Sequence, residues 1–217
     1  MNGYSEQYFN SVTGPMVGHI QIHAPGWRDD RSIDLTLGDL DATLAEIRRD
    51  PQVDHAAPRI FAPALAALAE DGFMSMVVGV DPAVESHPAG LLAGERLSEQ
   101  IGEHRVLVGS SFARKHDIEP GMEIAVIGQD VDGSIANDLF TVSDIMATPV
   151  AVVNSLGIVM SLDDAQELLL TLDQAHEIVI HVKDRELLSD TVTRLSSLPL
   201  LTDAEVLPSG RKSFPIL

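Results

Sequence analysis

The sequence predicts an α+β fold in which a β-rich unit interrupts a split unit of strand-helix-strand segments. The first observation is composition, because 217 residues that are 45% hydrophobic and 22% charged suffice for one or two packed domains. The second observation is the order of the predicted elements, since strand-helix-strand patterns occur at both ends of the chain. The third is a stretch rich in Pro, Gly and Ala at residues 81–94, which marks a subdomain boundary.

The first third of the chain supplies one half of the split unit. Residues 4–12 carry a short amphipathic helical stripe, and a strand over 16–23 follows it. A helix comes next, with Thr36 and Asp39 as its capping pair and an Asp-Pro pair as its stop.

Two further strands are predicted before the boundary. Residues 53–65 are extended in pattern but contain Pro58 and Pro63, which indicates an edge or bulged strand because proline cannot donate to the ladder. Residues 73–80 have the apolar run of a buried strand.

The rest of the chain adds the inserted unit and then the second half of the split unit. Short strands at 105–108, 122–127 and 139–145, with a helix at 110–116, predict the β-rich insertion. The final segments are strands at 157–160, 177–182 and 204–207, alternating with helices that begin at Ser161 and Asp184.

The charge of the chain narrows the class of partner. Its 33 acidic and 14 basic residues give a net charge of −19, which repels phosphate backbones and anionic lipid headgroups. Nucleic acid is therefore not expected as a partner. The absence of cysteine excludes disulfides, thiolate catalysis and cysteine-based zinc sites.

Two histidines near the start of the chain invite a metal-binding interpretation. In a strand, His19 and His23 lie on one face but roughly 13 Å apart at about 3.3 Å per residue. Ligands of a single zinc ion must each approach it to about 2.1 Å, so these two cannot share one by strand geometry. We therefore predict no metal here, and interpret them as the polar face of a half-buried strand.

Two further motifs also favour structural interpretations. DVDGSIAND (residues 130–138) resembles a calcium loop, but its twelfth position is Thr141 instead of Glu. A hairpin turn at Asp132-Gly133 is the better interpretation. The Gly-Ser-Ser run at 109–111 lacks the G-x-S-x-G of a nucleophile elbow, which favours Ser110 or Ser111 as a helix cap. No catalytic residue, cofactor or metal is predicted.

Several stretches, in order, carry a family resemblance. GHIQIHAPGW (18–27), VDHAAPRIFAPALAAL with FMSMVVGVDP (53–82), and GERLSEQIGEHRVLVGSSFARKHDIEPGMEIAVI (94–127) resemble the extracytoplasmic domain of MacB-type ABC transporter permeases. LDDAQELL (162–169) resembles the element after the middle insertion. The chain is most similar to the lipoprotein-releasing, LolC/LolE-like branch, although Met122 and Ser209-Gly210 depart from the family pattern.

The resemblance implies a ferredoxin-like porter subdomain over 17–88 and 156–208, with a sabre subdomain over 89–155. Residues 1–16 and 209–217 would lead towards the first and second membrane helices. It further implies a non-enzymatic domain on the extracytoplasmic side of the inner membrane, which couples ATP-driven helix motion to cargo or partner handling.

The resemblance also implies partners. These are an ABC ATPase that hydrolyses ATP, a second permease copy, and a periplasmic adaptor, chaperone or lipoprotein cargo. The hairpin residues Gln129, Asp130, Asp132 and Asn137 are the predicted partner-binding residues, although this hairpin has neither Arg nor Pro. The alternative is a soluble ligand-binding domain or an enzyme with a dispersed site, which a deep pocket with converging polar groups would favour.

Overall fold

The computed structural model describes residues 18–93 and 99–209, and it confirms the α+β class. Its strands are β1 Ile20–His23, β2 Val53–Leu68, β3 Asp71–Val80, β4 Arg105–Gly109, β5 Glu123–Gln129, β6 Ile135–Met146, β7 Gly157–Ser161, β8 Glu177–Val182 and β9 Glu205–Pro208. Its α-helices are α1 Trp27–Asp30, α2 Leu40–Ile47, α3 Pro82–Glu85, α4 Ser110–Lys115, α5 Ala151–Leu156, α6 Leu162–Leu169 and α7 Leu188–Ser196.

The chain forms two compact units. Unit 1 comprises Met1–Pro58 and Asp173–Leu217, and unit 2 comprises Arg59–Leu172. The predicted helical stripe at 4–12 and nearly all of the C-terminal linker lie outside the described residues. The porter and sabre boundaries stay a prediction. Within the described ranges, no helix has the length and apolar character needed to cross a bilayer.

Unit 1 is a four-stranded sheet in the order β9-β1-β8-β2. The central strand β1 is antiparallel to both neighbours, so that Ile20 lies opposite Ile180 on β8 and Pro208 on β9. Helix α2 links β1 to β2, and α7 links β8 to β9. This is the β-α-β-β-α-β order of a ferredoxin-like unit, with unit 2 inserted between its second and third strands.

Helix α2 begins differently from the sequence prediction. Thr36 does not cap it, because its hydroxyl donates to Gln174 Oε1 at 2.6 Å, and the side chain of Asp39 makes no capping bond. Asp173 takes the role instead: its backbone oxygen accepts from Leu40 N–H and its carboxylate from Asp41 N–H. The first-turn donors are thus satisfied by a residue more than 130 positions away, which sequence spacing does not reveal.

Unit 2 is a closed ring of six strands. The pairing order is β3-β7-β4-β6-β5-β2, and β2 also pairs with β3, which closes the ring. Over the predicted range, 53–65, β2 does have the pairing of an edge strand: it is the last strand of the sheet in unit 1, and its pairing with β5 begins only at Leu65. Pro63 is tolerated because pairing with β5 begins only at Leu65, so the missing N–H falls before that ladder starts.

One side of the ring is packed by helices. Gly79 on β3 lies against Ala165 of α6, where any added Cβ would collide. The Ser161 cap of α6 is confirmed, since its hydroxyl accepts from Asp164 N–H at 3.1 Å. The predicted serine cap of α4 is wrong: the cap is Gly109, whose missing side chain leaves room for the backbone oxygen of Val153.

Candidate functional site

The hairpin predicted to bind a partner joins β5 and β6 in unit 2. The two strands pair antiparallel from Glu123 opposite Thr141 to Gln129 opposite Ile135. The turn is closed by Asp130 N–H donating to the backbone oxygen of Ser134 at 3.1 Å. This confirms the hairpin turn.

The four predicted partner-binding residues fall into two pairs. Asp130 is buried, and its carboxylate accepts from the N–H groups of Asp132 and Ser134 at 3.2 and 3.0 Å. Gln129 Nε2 donates to the backbone oxygen of Gly133 at 3.0 Å. Both residues therefore hold the turn. Asp132 and Asn137 are exposed and present their polar groups at the surface.

The pKa of Asp132 is lowered by hydrogen bonds within the turn. Its carboxylate accepts hydrogen bonds from the hydroxyl and the N–H of Ser134, and these lower the pKa of Asp132 below its ordinary value. Hydrogen bonds to the ionised form favour that form. The tip of the hairpin is therefore an anionic group on an ordered turn.

Apolar residues beside the hairpin were missed by sequence reasoning. Ile135 and Leu139 on β6 are 78% and 50% exposed, whereas Ala136 and Phe140 between and beside them are buried. The sequence shows apolar residues at both parities of this strand, which is also the pattern of a strand buried on both faces. Because apolar residues occur at both parities, the sequence gives no signal of which parity faces outward.

Unit 1 holds the motif GHIQIHAPGW, and its strand is more deeply buried than predicted. All four residues of β1 are buried, including Gln21 and His23, so the half-buried interpretation is wrong. Gln21 Nε2 donates to Glu177 Oε1 at 2.8 Å, and His23 Nδ1 lies 3.4 Å from Glu205 Oε2. The hydrogen bond to Glu177 on β8 makes burial of the Gln21 amide tolerable, whereas His23 makes no hydrogen bond to Glu205 on β9.

The aromatic end of the motif forms a stack of rings. The indole of Trp27 lies parallel to the His176 imidazole with centroids 5.8 Å apart, and the Arg31 guanidinium stands 4.1 Å from the Trp27 centroid. His176 Nε2 donates to the backbone oxygen of Ile33 at 2.9 Å. Burial lowers the pKa values of His23 and His176, so both imidazoles are neutral in the folded protein at pH 7.

A second group of imidazoles lies in the same unit. The rings of His55 and His181 stack with centroids 4.4 Å apart, and His19 lies 5.0 Å from His181. His19 Nδ1 accepts from Val182 N–H at 2.9 Å, while its Nε2 faces Arg185 Nε at 3.0 Å. Burial and the Arg185 charge lower the pKa of His19. These contacts tie β1 to β8 and its following turn, which is a structural role.

Comparison with solved structures identifies the fold. The chain superposes on the periplasmic region of MacB from Actinobacillus actinomycetemcomitans with a TM-score of 0.60, at 12% identity over 93% of this chain and 94% of that one. The fold is that of this MacB region. The extracellular domain of the noncanonic ABC-type transporter YknZ from Gram-positive bacteria matches with a TM-score of 0.60, at 9% identity over 88% of this chain and 100% of that one.

A third solved structure agrees. It is a domain of a protein described as a permease from Porphyromonas gingivalis, with a TM-score of 0.51 and 13% identity over 91% of both chains. No family model matches the sequence. No curated protein matches it either. The likeness to these permease domains is thus one of fold, spread over nearly the whole chain.

Proposed function

We propose that this chain is the extracytoplasmic domain of an ABC transporter permease, which passes ATP-driven motion of membrane helices to a cargo or protein partner. The single observation that carries this function is the shared fold with the MacB and YknZ domains across almost their entire length. A match confined to one unit would support only a common motif.

The arrangement of the chain supports the same conclusion. The ferredoxin-like unit 1 contains both the start and the end of the described chain, and unit 2 is inserted into it. The polar residues of its central strand β1 are buried, with Gln21 bonded to Glu177 within the fold.

The finer proposal is the lipoprotein-releasing branch. Its support is the order of the motifs, beginning with GHIQIHAPGW at 18–27. The hairpin residues Asp132 and Asn137 are proposed to touch a partner, whereas Gln129 and Asp130 keep the turn in shape. This hairpin is acidic and has neither Arg nor Pro, so its contacts with a partner would come from carboxylate and amide groups.

The proposed partners follow from the transporter assignment. ATP hydrolysis belongs to an ABC ATPase on the other side of the membrane, and a second permease copy is part of the full-length complex. This domain performs no chemistry and lies on the extracytoplasmic side of the inner membrane. An adaptor, a chaperone or the lipoprotein itself is the proposed extracytoplasmic ligand.

Purification of the tagged full-length protein from its own cells tests this function. We expect it in the membrane fraction, in complex with an ABC ATPase subunit after detergent extraction, and cleaved in this domain by protease added to spheroplasts. An untagged strain is the control for the copurified ATPase. Recovery of the protein in the soluble fraction without an ATPase would contradict the proposal.

A direct assay separates this function from the alternative of an enzyme or ligand-binding domain. A transport domain without a nucleotide site gains no stability from ATP or ADP. A ligand in excess over its Kd would stabilise the fold by roughly 1–2 kcal/mol or more. A rise in melting temperature with nucleotide would therefore favour the alternative.

A further inference from the structure

The outer face of the ring in unit 2 carries exposed apolar side chains on neighbouring strands. On β6, Ile135 and Leu139 point to the same side, because they are four residues apart in a strand. The register places Leu139 opposite Ala125 of β5, and Ile127 of β5 two positions further on the same side. The row of apolar side chains thus continues from β6 onto β5, where Ile127 is half-buried and lies opposite the exposed Asn137.

The same row extends across two more strands. Leu65 of β2 lies opposite Ile127 of β5 on one side and opposite Met74 of β3 on the other. Leu65 is 47% exposed and Met74 is 77% exposed. Directly paired residues share a face of the sheet, so β6, β5, β2 and β3 present one continuous surface. The apolar outer face is defined by Leu65, Met74, Ile127, Ile135 and Leu139.

The apolar outer face is open to solvent over only part of the sheet. Arg59 belongs to the same parity of β2 as Leu65, yet it is buried, because it pairs with Glu85 in the segment after β3. From Pro63 onward that side of the strand is exposed or half-buried. Monomeric proteins rarely expose contiguous apolar surface of this kind, and such patches mark interaction sites.

The charges around the face are of one sign. Residues 60–80 and 123–146, which contain all four strands beyond Arg59, include no Lys or Arg. Exposed carboxylates occur at the ends of these strands: Glu70, Asp71, Glu123 and Asp132. Electrostatic complementarity across an interface therefore calls for a cationic rim on the partner.

We propose that the apolar outer face docks a cationic amphipathic protein segment, whose apolar side chains cover the face while its Lys and Arg residues meet the surrounding carboxylates. A second copy of this chain would bring two acidic rims together, and an anionic membrane would be repelled likewise. A partner of this class is not part of the proposed function, and all residues of the apolar outer face belong to unit 2.

The probe is a short synthetic amphipathic peptide made of Leu and Lys, titrated into the protein by calorimetry. Its counterpart with Glu in place of every Lys is the charge control. We expect saturable binding of the Lys peptide that weakens with salt, and no binding of the Glu peptide. Equal binding of both peptides would overturn the proposal.

Variants locate the binding site. Met74→Ser combined with Ile135→Ser removes two exposed side chains without touching the core, and should weaken the Lys peptide about tenfold or more. Leu172→Ser is the matched control, because Leu172 is 70% exposed but lies in the turn after α6. Unchanged affinity in the double variant, or equal loss in the control, would overturn the assignment of the face.

Two further measurements test whether a second copy of this chain or an anionic membrane binds the apolar outer face instead. Sedimentation of the wild type should show a monomer, and phosphatidylglycerol vesicles should neither bind the protein nor compete with the peptide. Self-association abolished by the double variant would assign the face to a second copy, and vesicle binding would assign it to lipid. Failure of the peptide test would leave the permease proposal standing, because copurification with an ATPase does not depend on this face.

Discussion

Arg59 and Glu85 form an ion pair that is buried inside the protein. Arg59 Nε donates to Glu85 Oε1 at 2.5 Å and Nη2 to Oε2 at 3.1 Å, while Oε2 also accepts from Leu91 N–H at 2.6 Å. The side chains are 1% and 0% exposed. The pair fixes the segment after β3 onto β2.

Breaking this pair should destabilise the protein strongly. Glu85→Gln leaves the Arg59 charge buried without a counterion, at a cost of about 3–5 kcal/mol in the free energy of unfolding. The measurement is urea denaturation of unit 2 in the whole chain. The double variant with Arg59→Met should lose less than the sum of the two single variants. A loss below about 1 kcal/mol for Glu85→Gln would contradict a dry pair.

A methyl group at Gly79 should also be costly. Gly79→Ala places a Cβ against Ala165 of α6 and 3.2 Å from Ile60 Cβ, so the helix must shift away from the sheet. We expect a loss of about 1–3 kcal/mol, measured by thermal or urea unfolding. Gly72→Ala on the same strand is the control, because its added Cβ meets no atom within 4 Å. Equal effects at the two sites would show that α6 does not pack closely on β3.

Removal of the Ser161 hydroxyl tests the cap of α6. Ser161→Ala deletes the acceptor for Asp164 N–H, which should lower the free energy of unfolding by about 1 kcal/mol. Ser161→Gly should cost less than the alanine variant, because glycine is tolerated at this position. If alanine and wild type unfold at the same urea concentration, the cap contributes nothing to stability.

Acid should destabilise unit 1 through its buried imidazoles. The pKa values of His23 and His176 are lowered by burial from the ordinary value of 6.5, so the unfolded chain takes up protons first as the pH falls. The contribution of these imidazoles to the free energy of unfolding is therefore complete only above pH 6.5. Below that pH the free energy of unfolding falls by up to about 1.4 kcal/mol per pH unit for each imidazole.

The test compares wild type with His176→Gln between pH 7.5 and 5. Gln retains a donor for the Ile33 oxygen but lacks the ring, so the variant should be less stable than wild type at every pH. Its free energy of unfolding should fall less steeply in acid, because it has no imidazole to protonate at this position. At pH 7.5 the imidazoles are neutral, and the difference there measures packing alone. An unchanged slope would show that His176 does not contribute to acid sensitivity.

Local chemistry was predictable from the sequence. The turn at Asp132-Gly133, the Ser161 cap and the α+β order depend on residues close together in the chain, and each is confirmed. Residues close together in the sequence determine these features through side-chain hydrogen bonds to the backbone and through the periodic spacing of apolar residues. The order of elements at the two ends also predicted the split unit.

Long-range partners were not predictable. His23 is buried because Glu205 and Trp27 approach it, and α2 is capped by Asp173, all from segments whose placement depends on the folded sheet. The apolar outer face was missed for the same reason. Which parity of β6 meets solvent is decided by the helices packed on the ring, and strand periodicity alone is symmetric between the two sides.

The closure of the β-sheet in unit 2 restricts how this unit can be recognised. Among the described residues, each of its six strands has a neighbour on both sides over part of its length, which leaves only short stretches, such as β2 before Leu65, with a partner on one side. Many peptide-binding domains capture a ligand by adding it as an extra strand, a mode that tolerates varied sequences because backbone does the binding. A ring leaves only those short stretches for that mode. Recognition of unit 2 should therefore depend mainly on side chains, so that selectivity follows shape and charge.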